Sequence, residues 1–191
     1  MTRTLIILGA GGHGRAACEM AQLLGWQVAG FLDDRGDEAP TFADVACIGV
    51  MADLSAHASH VDAAVVAIGN NPVRRRLQEQ VRDTGIALAS LVHPGAVVAP
   101  SVAVGEGCMI MAGATVATEA VLADGVIVNA GATVDHHCRI ADYGHLGTGV
   151  CMAGGSRVGE GAWVQAGSAL GYGAVVAPGE VLAPGSVRGP A

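Results

Sequence analysis

From Val92 onward every sixth residue is aliphatic: Val92, Val98, Val104, Ile110, Val116, Leu122, Val128, Val134, Ile140, Leu146, Met152, Val158, Val164, Leu170, Val176 and Leu182. Four places after most of these comes a small side chain, as at Ala96, Cys108, Ala114, Ala132, Cys138, Ser156, Ser168 and Ser186. A period of six matches neither the 3.6 of a helix nor the two-residue alternation of an ordinary strand, and it marks a parallel β-helix of short flat strands joined by tight corners. Each hexapeptide supplies one strand and one corner. Three of them close a triangular coil, so residues 92 to 187 stack about five coils at roughly the 4.8 Å spacing of any sheet. The aliphatic positions fill the prism, and the second inward position lies near a corner where only a small side chain fits.

The first ninety residues follow other rules. Thr4 to Leu8 is a short apolar strand running into Gly9-Ala10-Gly11-Gly12-His13-Gly14, after which Ala16, Ala17, Met20, Ala21 and Leu24 recur at helical spacing from a start near Arg15. A second strand, Val28 to Leu32, ends at Asp33-Asp34. A third apolar run, Ala63 to Ile68, ends at Gly69-Asn70-Asn71-Pro72. There Asn71 is placed to cap, and Pro72 to open, a helix with Val73, Leu77 and Val81 on one face, which Gly85 stops. Strands alternating with helices predict a parallel sheet with helices on its faces.

The glycine turn and the acidic pair read as a dinucleotide fingerprint. Glycines at Gly11 and Gly12 let the backbone approach a phosphate, the helix start aims its amides at it, and Asp33 or Asp34 can accept hydrogen bonds from a ribose or base. A nicotinamide enzyme needs a second mononucleotide half and a catalytic domain, whereas this sheet stops after about ninety residues. The half-sized sheet therefore suits one nucleotide diphosphate. His13 is placed to touch the phosphates or the sugar; a loop that only packs helix on strand remains the alternative.

Composition narrows the partners. Of 191 residues, 51% are hydrophobic but only 3% aromatic, which suits a solenoid filled by Val, Leu and Ala. A net charge of −7 argues against nucleic-acid or anionic-membrane binding, since both rest on clustered Lys and Arg. Leu5 to Leu8 lacks the flanks of a signal peptide, and no apolar run reaches membrane-spanning length, so a cytoplasmic location is expected. The five cysteines, widely spaced and odd in number, predict reduced thiols. Arg74-Arg75-Arg76 reads as a solvated helix face with at most a weak phosphate-steering role.

In their order, several motifs carry a resemblance: Gly9 to Gly14, Asp33-Asp34, Ala67-Ile68-Gly69-Asn70-Asn71 with Arg74-Arg75, Leu91-Val92-His93-Pro94, Val134-Asp135-His136-His137-Cys138-Arg139-Ile140, and His145 nine residues after His136. Together they resemble the acetyltransferases of nucleotide-linked 4-amino sugars, such as the UDP-N-acetylbacillosamine and GDP-perosamine enzymes and sialic acid O-acetyltransferase-like proteins. The resemblance implies an α/β half-Rossmann-like domain over 1–90, binding the nucleotide sugar, and a left-handed parallel β-helix over 91–191. It also implies a homotrimer with acetyl-CoA lying between neighbouring solenoids. Gly69 then contacts the sugar nucleotide, and His145, Ala166 and Pro184 contact acetyl-CoA. No metal is expected. Relatives usually continue into a tail containing Val-Pro-Ala and a basic residue. Here the chain runs out at Val187 to Ala191, so the last coil is expected to be capped thinly.

Transfer of an acetyl group from a thioester to an amine needs a base as nitrogen attacks, and donors for the developing oxyanion. Histidine titrates near neutral pH and suits that proton step. His136 and His137 fall off both inward phases and should project from a corner, within reach of a groove; a solvated corner histidine with no role is the alternative for His136 and for His145. By resemblance His136 is the general base. In relatives the next residue is usually Asp or Glu, whereas here it is His137, so Asp135, Asp142, a backbone carbonyl or a neighbouring subunit would have to orient the base. Cys138 follows two histidines but occupies the small inward slot, which makes it a core thiol rather than a nucleophile. Three other classes remain in view: a sialic acid-type O-acetyltransferase, a trimeric γ-carbonic anhydrase-like metalloenzyme, and a scaffold with an inactive β-helix. The second needs three converging histidines, two of them commonly five apart, and His136, His137 and His145 lack that spacing.

Overall fold

In the computed structural model, which describes residues 3–190, the chain divides into two compact units, Met1–Leu91 and Val92–Ala191.

The first unit is a five-stranded parallel sheet. Its strands are β1 (Thr4–Leu8), β2 (Gln27–Leu32), β3 (Cys47–Gly49), β4 (Ala63–Val66) and β5 (Ala87–Leu88), in spatial order β3-β2-β1-β4-β5. Two helices, α1 (Gly12–Leu23) and α2 (Asn71–Asp83), connect them. Leu5, Ile6, Ile7 and Leu8 are all fully buried, as expected of a central parallel strand covered on both faces. Ile6, Leu8, Leu32, Ala64, Val66, Leu77 and Val81 pack into one cluster beneath α2. Two short edge strands, β3 and β5, have too few apolar residues to register as periodicity.

Two helix starts differ from expectation. α1 begins at Gly12 rather than near Arg15, because Gly14 sits against the β1 turn: a Cβ there would lie 1.9 Å from the Gly9 carbonyl oxygen. The cap of α2 is Asn70, whose Oδ1 accepts from the Val73 amide at 3.1 Å, while Asn71 is already helical. The helix ends at Asp83, and Gly85 turns the chain with φ +78°.

The second unit is the parallel β-helix. Two-residue strands, from Leu91–Val92 to Val187–Arg188, stack into three parallel sheets of six, five and six strands. Val116 pairs with Val134, and Val134 with Met152, so each coil takes eighteen residues. Ile110, Val116, Leu122, Val128, Val134, Ile140, Leu146 and Met152 fill the prism, with Cys108, Ala114, Ala132 and Cys138 in the small slots. Each such Val or Leu taken out of water contributes roughly 1.5–3 kcal/mol.

The corners obey their own series. At every sixth position from Gly107 to Gly185 the backbone has positive φ, and glycine occupies all of them except Glu119 (φ 58°), His137 (φ 59°) and Tyr143 (φ 58°). Left-handed backbone costs a residue with a Cβ roughly 1–2 kcal/mol. On the last described strand Val187 is 82% exposed, and Ala191 lies outside the described residues.

Candidate functional site

In the first unit the strands deliver their C-terminal ends to one edge of the sheet. The order β3-β2-β1-β4-β5 reverses direction between β1 and β4, and the crevice outside such a reversal is where open α/β sheets hold ligands. A cavity of about 500 Å³ opens there, lined by Asp33, Asp34, Met51, Ala52, Ile68, Val73, Arg76, Leu77 and Gln80. Its size falls within the range of small-molecule sites, and it combines apolar walls with two carboxylates, a guanidinium and an amide.

The acidic pair divides its labour. Asp33 Oδ2 accepts from the Ala10 amide at 2.8 Å, tying the end of β2 to the glycine turn, and both of its oxygens accept from Arg35, at 2.7 and 2.9 Å. The Arg35 hydrogen bonds, with the Ala10 amide, hold this carboxyl far below the usual carboxylate range. Asp33 is thus chiefly a brace for the loop. Asp34 is exposed; its Oδ1 accepts from the Met51 amide at 3.1 Å, anchoring the 3-10 turn Met51–His57 at the cavity wall.

Above β1, Gly11 and Gly12 are exposed, with nothing within 4 Å of where their side chains would stand. His13 is half-buried. Burial first, and the Arg74 charge second, push its pKa down to about 4, so the ring is neutral at pH 7, and its buried Nε2 has no hydrogen-bond partner among the described residues. Arg74 itself corrects the expectation of a solvated arginine run. It is fully buried, and its Nη1 donates to the carbonyls of Ile68 (3.1 Å) and Gly69 (3.2 Å), holding the end of β4. Only Arg76 of the three lines the cavity. Gln80 and Met51 belong to none of the motifs legible in the sequence, and Arg76 entered only as part of the arginine run. Their trace there is faint, since α2 spacing alone places Arg76 and Gln80 on one face.

In the second unit, His136 and His137 stand at one corner, with side chains 45% and 61% exposed. The ring of His136 lies over Gly154, one coil further on, where a Cβ would come within 2.6 Å of Cε1. Tyr172, one coil beyond that, faces the same ring at 6.4 Å between centroids. His136 Nδ1 and His137 Nδ1 are 2.9 Å apart, and His137 Nε2 is 2.8 Å from Glu119 Oε2. Of the groups expected to orient the base, Asp135 is spent on the backbone: its Oδ1 accepts from the His136 amide at 2.7 Å, and its Oδ2 stands 3.9 Å from Nε2, too far for a hydrogen bond. Asp142 lies elsewhere and accepts from the Asp124 amide at 3.0 Å.

His145 is not a corner residue. It opens the strand His145–Leu146, so it faces off a flat wall, is 6% exposed, and stacks on Trp163 with centroids 5.4 Å apart and planes at 13°. Ala166 and Pro184 are exposed at corners. Cys138 is fully buried, donates to the Ala153 carbonyl at 3.3 Å, and burial raises its pKa, all of which suit a core thiol. Among the described residues there is no disulfide, no group of three His, Cys, Asp or Glu arranged to hold a metal ion, and no helix long and apolar enough to cross a membrane.

Comparison with known proteins gives this geometry its relatives. Residues 4–81 match the PglD N-terminal domain family. The UDP-N-acetylbacillosamine N-acetyltransferase of Bacillus subtilis (strain 168) is 31% identical over 120 residues, a match covering 58% of this chain and 52% of that protein. The chain thus spans about half the length of that curated relative. Among solved structures, a histidine-to-alanine variant of GDP-perosamine N-acetyltransferase from Caulobacter crescentus, in complex with CoA and GDP-perosamine, superposes with a TM-score of 0.82 at 33% identity, over 96% of this chain and 90% of that one. The acetyltransferase domain of PglB from Neisseria gonorrhoeae FA1090, in complex with acetyl coenzyme A, gives 0.79 at 35% identity over 98% and 94%.

Proposed function

This chain belongs to the family of N-acetyltransferases of nucleotide-linked amino sugars, and from that premise we propose that it transfers acetyl from acetyl-CoA to the 4-amino group of such a sugar, with His136 as general base. The observation that carries the reading is the His136 imidazole, half exposed at a corner above a glycine and faced by Tyr172. A buried ring could not meet a substrate amine.

The neutral amine attacks the thioester carbonyl carbon, forming the C–N bond, while His136 Nε2 takes the proton that nitrogen sheds. The tetrahedral oxyanion collapses, the C–S bond breaks, and the proton passes from the imidazolium to the CoA thiolate. No covalent enzyme intermediate is needed. The sugar nucleotide binds through the first unit, its nucleoside in the cavity beside Asp34 and Arg76 and its diphosphate over Gly11 and Gly12 with His13 nearby. Gly69 completes that edge. The acyl donor follows Ala166 and Pro184 and passes the His145–Trp163 stack, in a groove between protomers of a homotrimer working in the cytoplasm.

Thiol release from acetyl-CoA, measured with UDP-, GDP- and dTDP-linked 4-amino sugars, tests the reading. His136→Ala should lower kcat by about 10²–10⁴-fold, the usual contribution of a general base. Equal rates for this variant and the parent would refute the assignment.

A further inference from the structure

The histidine at position 137 leaves no carboxylate at the place after the base, yet one is present one coil below. Glu119 and His137 are eighteen residues apart and occupy the same corner, with the His137 amide bonded to the Thr118 carbonyl at 3.0 Å. Both are among the three corner residues that adopt positive φ without being glycine. Non-glycine residues held in this region cluster where a side chain is functionally required. Here both side chains are used on each other: Glu119 Oε2 and His137 Nε2 are 2.8 Å apart.

That contact decides the remaining protons. An ionised carboxylate only accepts, so a neutral His137 must carry its proton on Nε2, which leaves its Nδ1 as a lone pair. His136 Nδ1 lies 2.9 Å from that lone pair and must therefore be the donor. A neutral imidazole with its proton on Nδ1 has its free lone pair on Nε2, the atom that Asp135, at 3.9 Å, does not engage.

We propose that Glu119 is a positioning residue which, acting through His137, holds His136 in the Nδ1–H tautomer and so presents Nε2 as the base. This rests on the acetyl-transfer reading for its catalytic meaning, but the tautomers are a property of the resting protein. The relay is exposed, with Glu119 and His137 each about 60% accessible, so its effect is a fraction of the base's own.

The test uses the full chain with 15N-labelled histidine. Long-range 15N–1H correlation spectra should show His136 as the Nδ1–H and His137 as the Nε2–H tautomer. Glu119→Gln should turn both into tautomer mixtures and lower kcat about tenfold, below the ~10²–10⁴-fold owed to the base itself, with KM for the sugar nucleotide unchanged. Glu119→Gly, which relieves the backbone, should unfold at no lower temperature than the parent while losing the same activity, separating positioning from stability. In the double variant Glu119→Gln/His137→Glu a carboxylate reaches Nδ1 directly, and kcat should recover. Active wild-type protein with His136 as the Nε2–H tautomer would overturn the relay alone. Inactive wild-type protein with the expected tautomers would overturn the base reading alone.

Discussion

The glycine turn of the first unit and the histidine corner of the second solve opposite problems with the same backbone freedom. At Gly9, with φ +106°, and at Gly14, packed on the Gly9 carbonyl, the chain gives up side chains so that a strand can pass tightly into a helix and leave bare backbone at Gly11 and Gly12. At Glu119 and His137 it keeps side chains where the other positive-φ turns of the column, Tyr143 apart, use glycine. On the proposed function, one site would recognise with main chain and the other act with side chains. The contrast teaches that the costly departure from a local rule, rather than the rule, marks the chemistry.

Substitutions at two glycines break this contrast from either side. The largest effect is expected from Gly14→Ala, whose Cβ would lie 1.9 Å from backbone that cannot step aside. α1 must shift, and the first unit should lose about 3 kcal/mol, the upper part of the usual overpacking range, together with sugar-nucleotide binding. Chemical denaturation and isothermal calorimetry would measure it. A Gly14→Ala protein as stable as the parent would show that the turn is looser than its packing implies. Next comes Gly154→Ala, which crowds the His136 ring rather than backbone. A ring displaced by about 1 Å should cost about 100-fold in kcat, with the thermal midpoint unmoved, because Gly154 carries no strained φ. If kcat is unchanged, the ring has room that the geometry denies.

A smaller effect sharpens the comparison through pH. The folded-state pKa of Asp33 is depressed, chiefly by its hydrogen bonds with Arg35 and also by the Ala10 amide. Its contribution to stability is therefore complete above the unfolded carboxyl value of roughly 4 and is lost as pH falls below it. Asp33→Asn should be less stable at neutral pH and show a shallower acid limb in denaturation midpoints between about pH 4 and 2. A variant with the parent's acid limb would mean that other carboxylates dominate the transition. His13 contributes with the same sign but in a higher window. With a folded pKa of about 4 against 6.5, it removes stability as pH falls through that interval.

The column is legible in the residue pattern alone. Positions such as Val116, Val134 and Met152 recur at a fixed interval because a β-helix makes every coil repeat the same inward contact, so a local pattern records a long-range fold. The edge strands Cys47–Gly49 and Ala87–Leu88 are not legible, since short strands leave no period to count. Arg74 misleads for a related reason: three consecutive arginines look solvated, and only the packing of α2 against the end of β4 turns one of them inward to the carbonyls of Ile68 and Gly69. The burial of His145 is not legible either, because it precedes an inward residue and spacing does not tell whether an outward-facing wall position is covered.

By itself, the order of residues determined the solenoid, its eighteen-residue coil, the glycine turn after the first strand and the projection of His136 from a corner, because each of these is set by backbone period and by the size of a side chain. The tertiary structure alone decided which groups meet: Asp33 with the Ala10 amide, the cavity at Asp34 and Arg76, Gly154 beneath the imidazole, and Glu119 beside His137. Glu119 did leave a trace, a break in the glycine series one coil before His137. Stacking brings residues eighteen apart within hydrogen-bonding reach, and a contact between side chains is a distance, which no spacing along a chain specifies until the chain is folded.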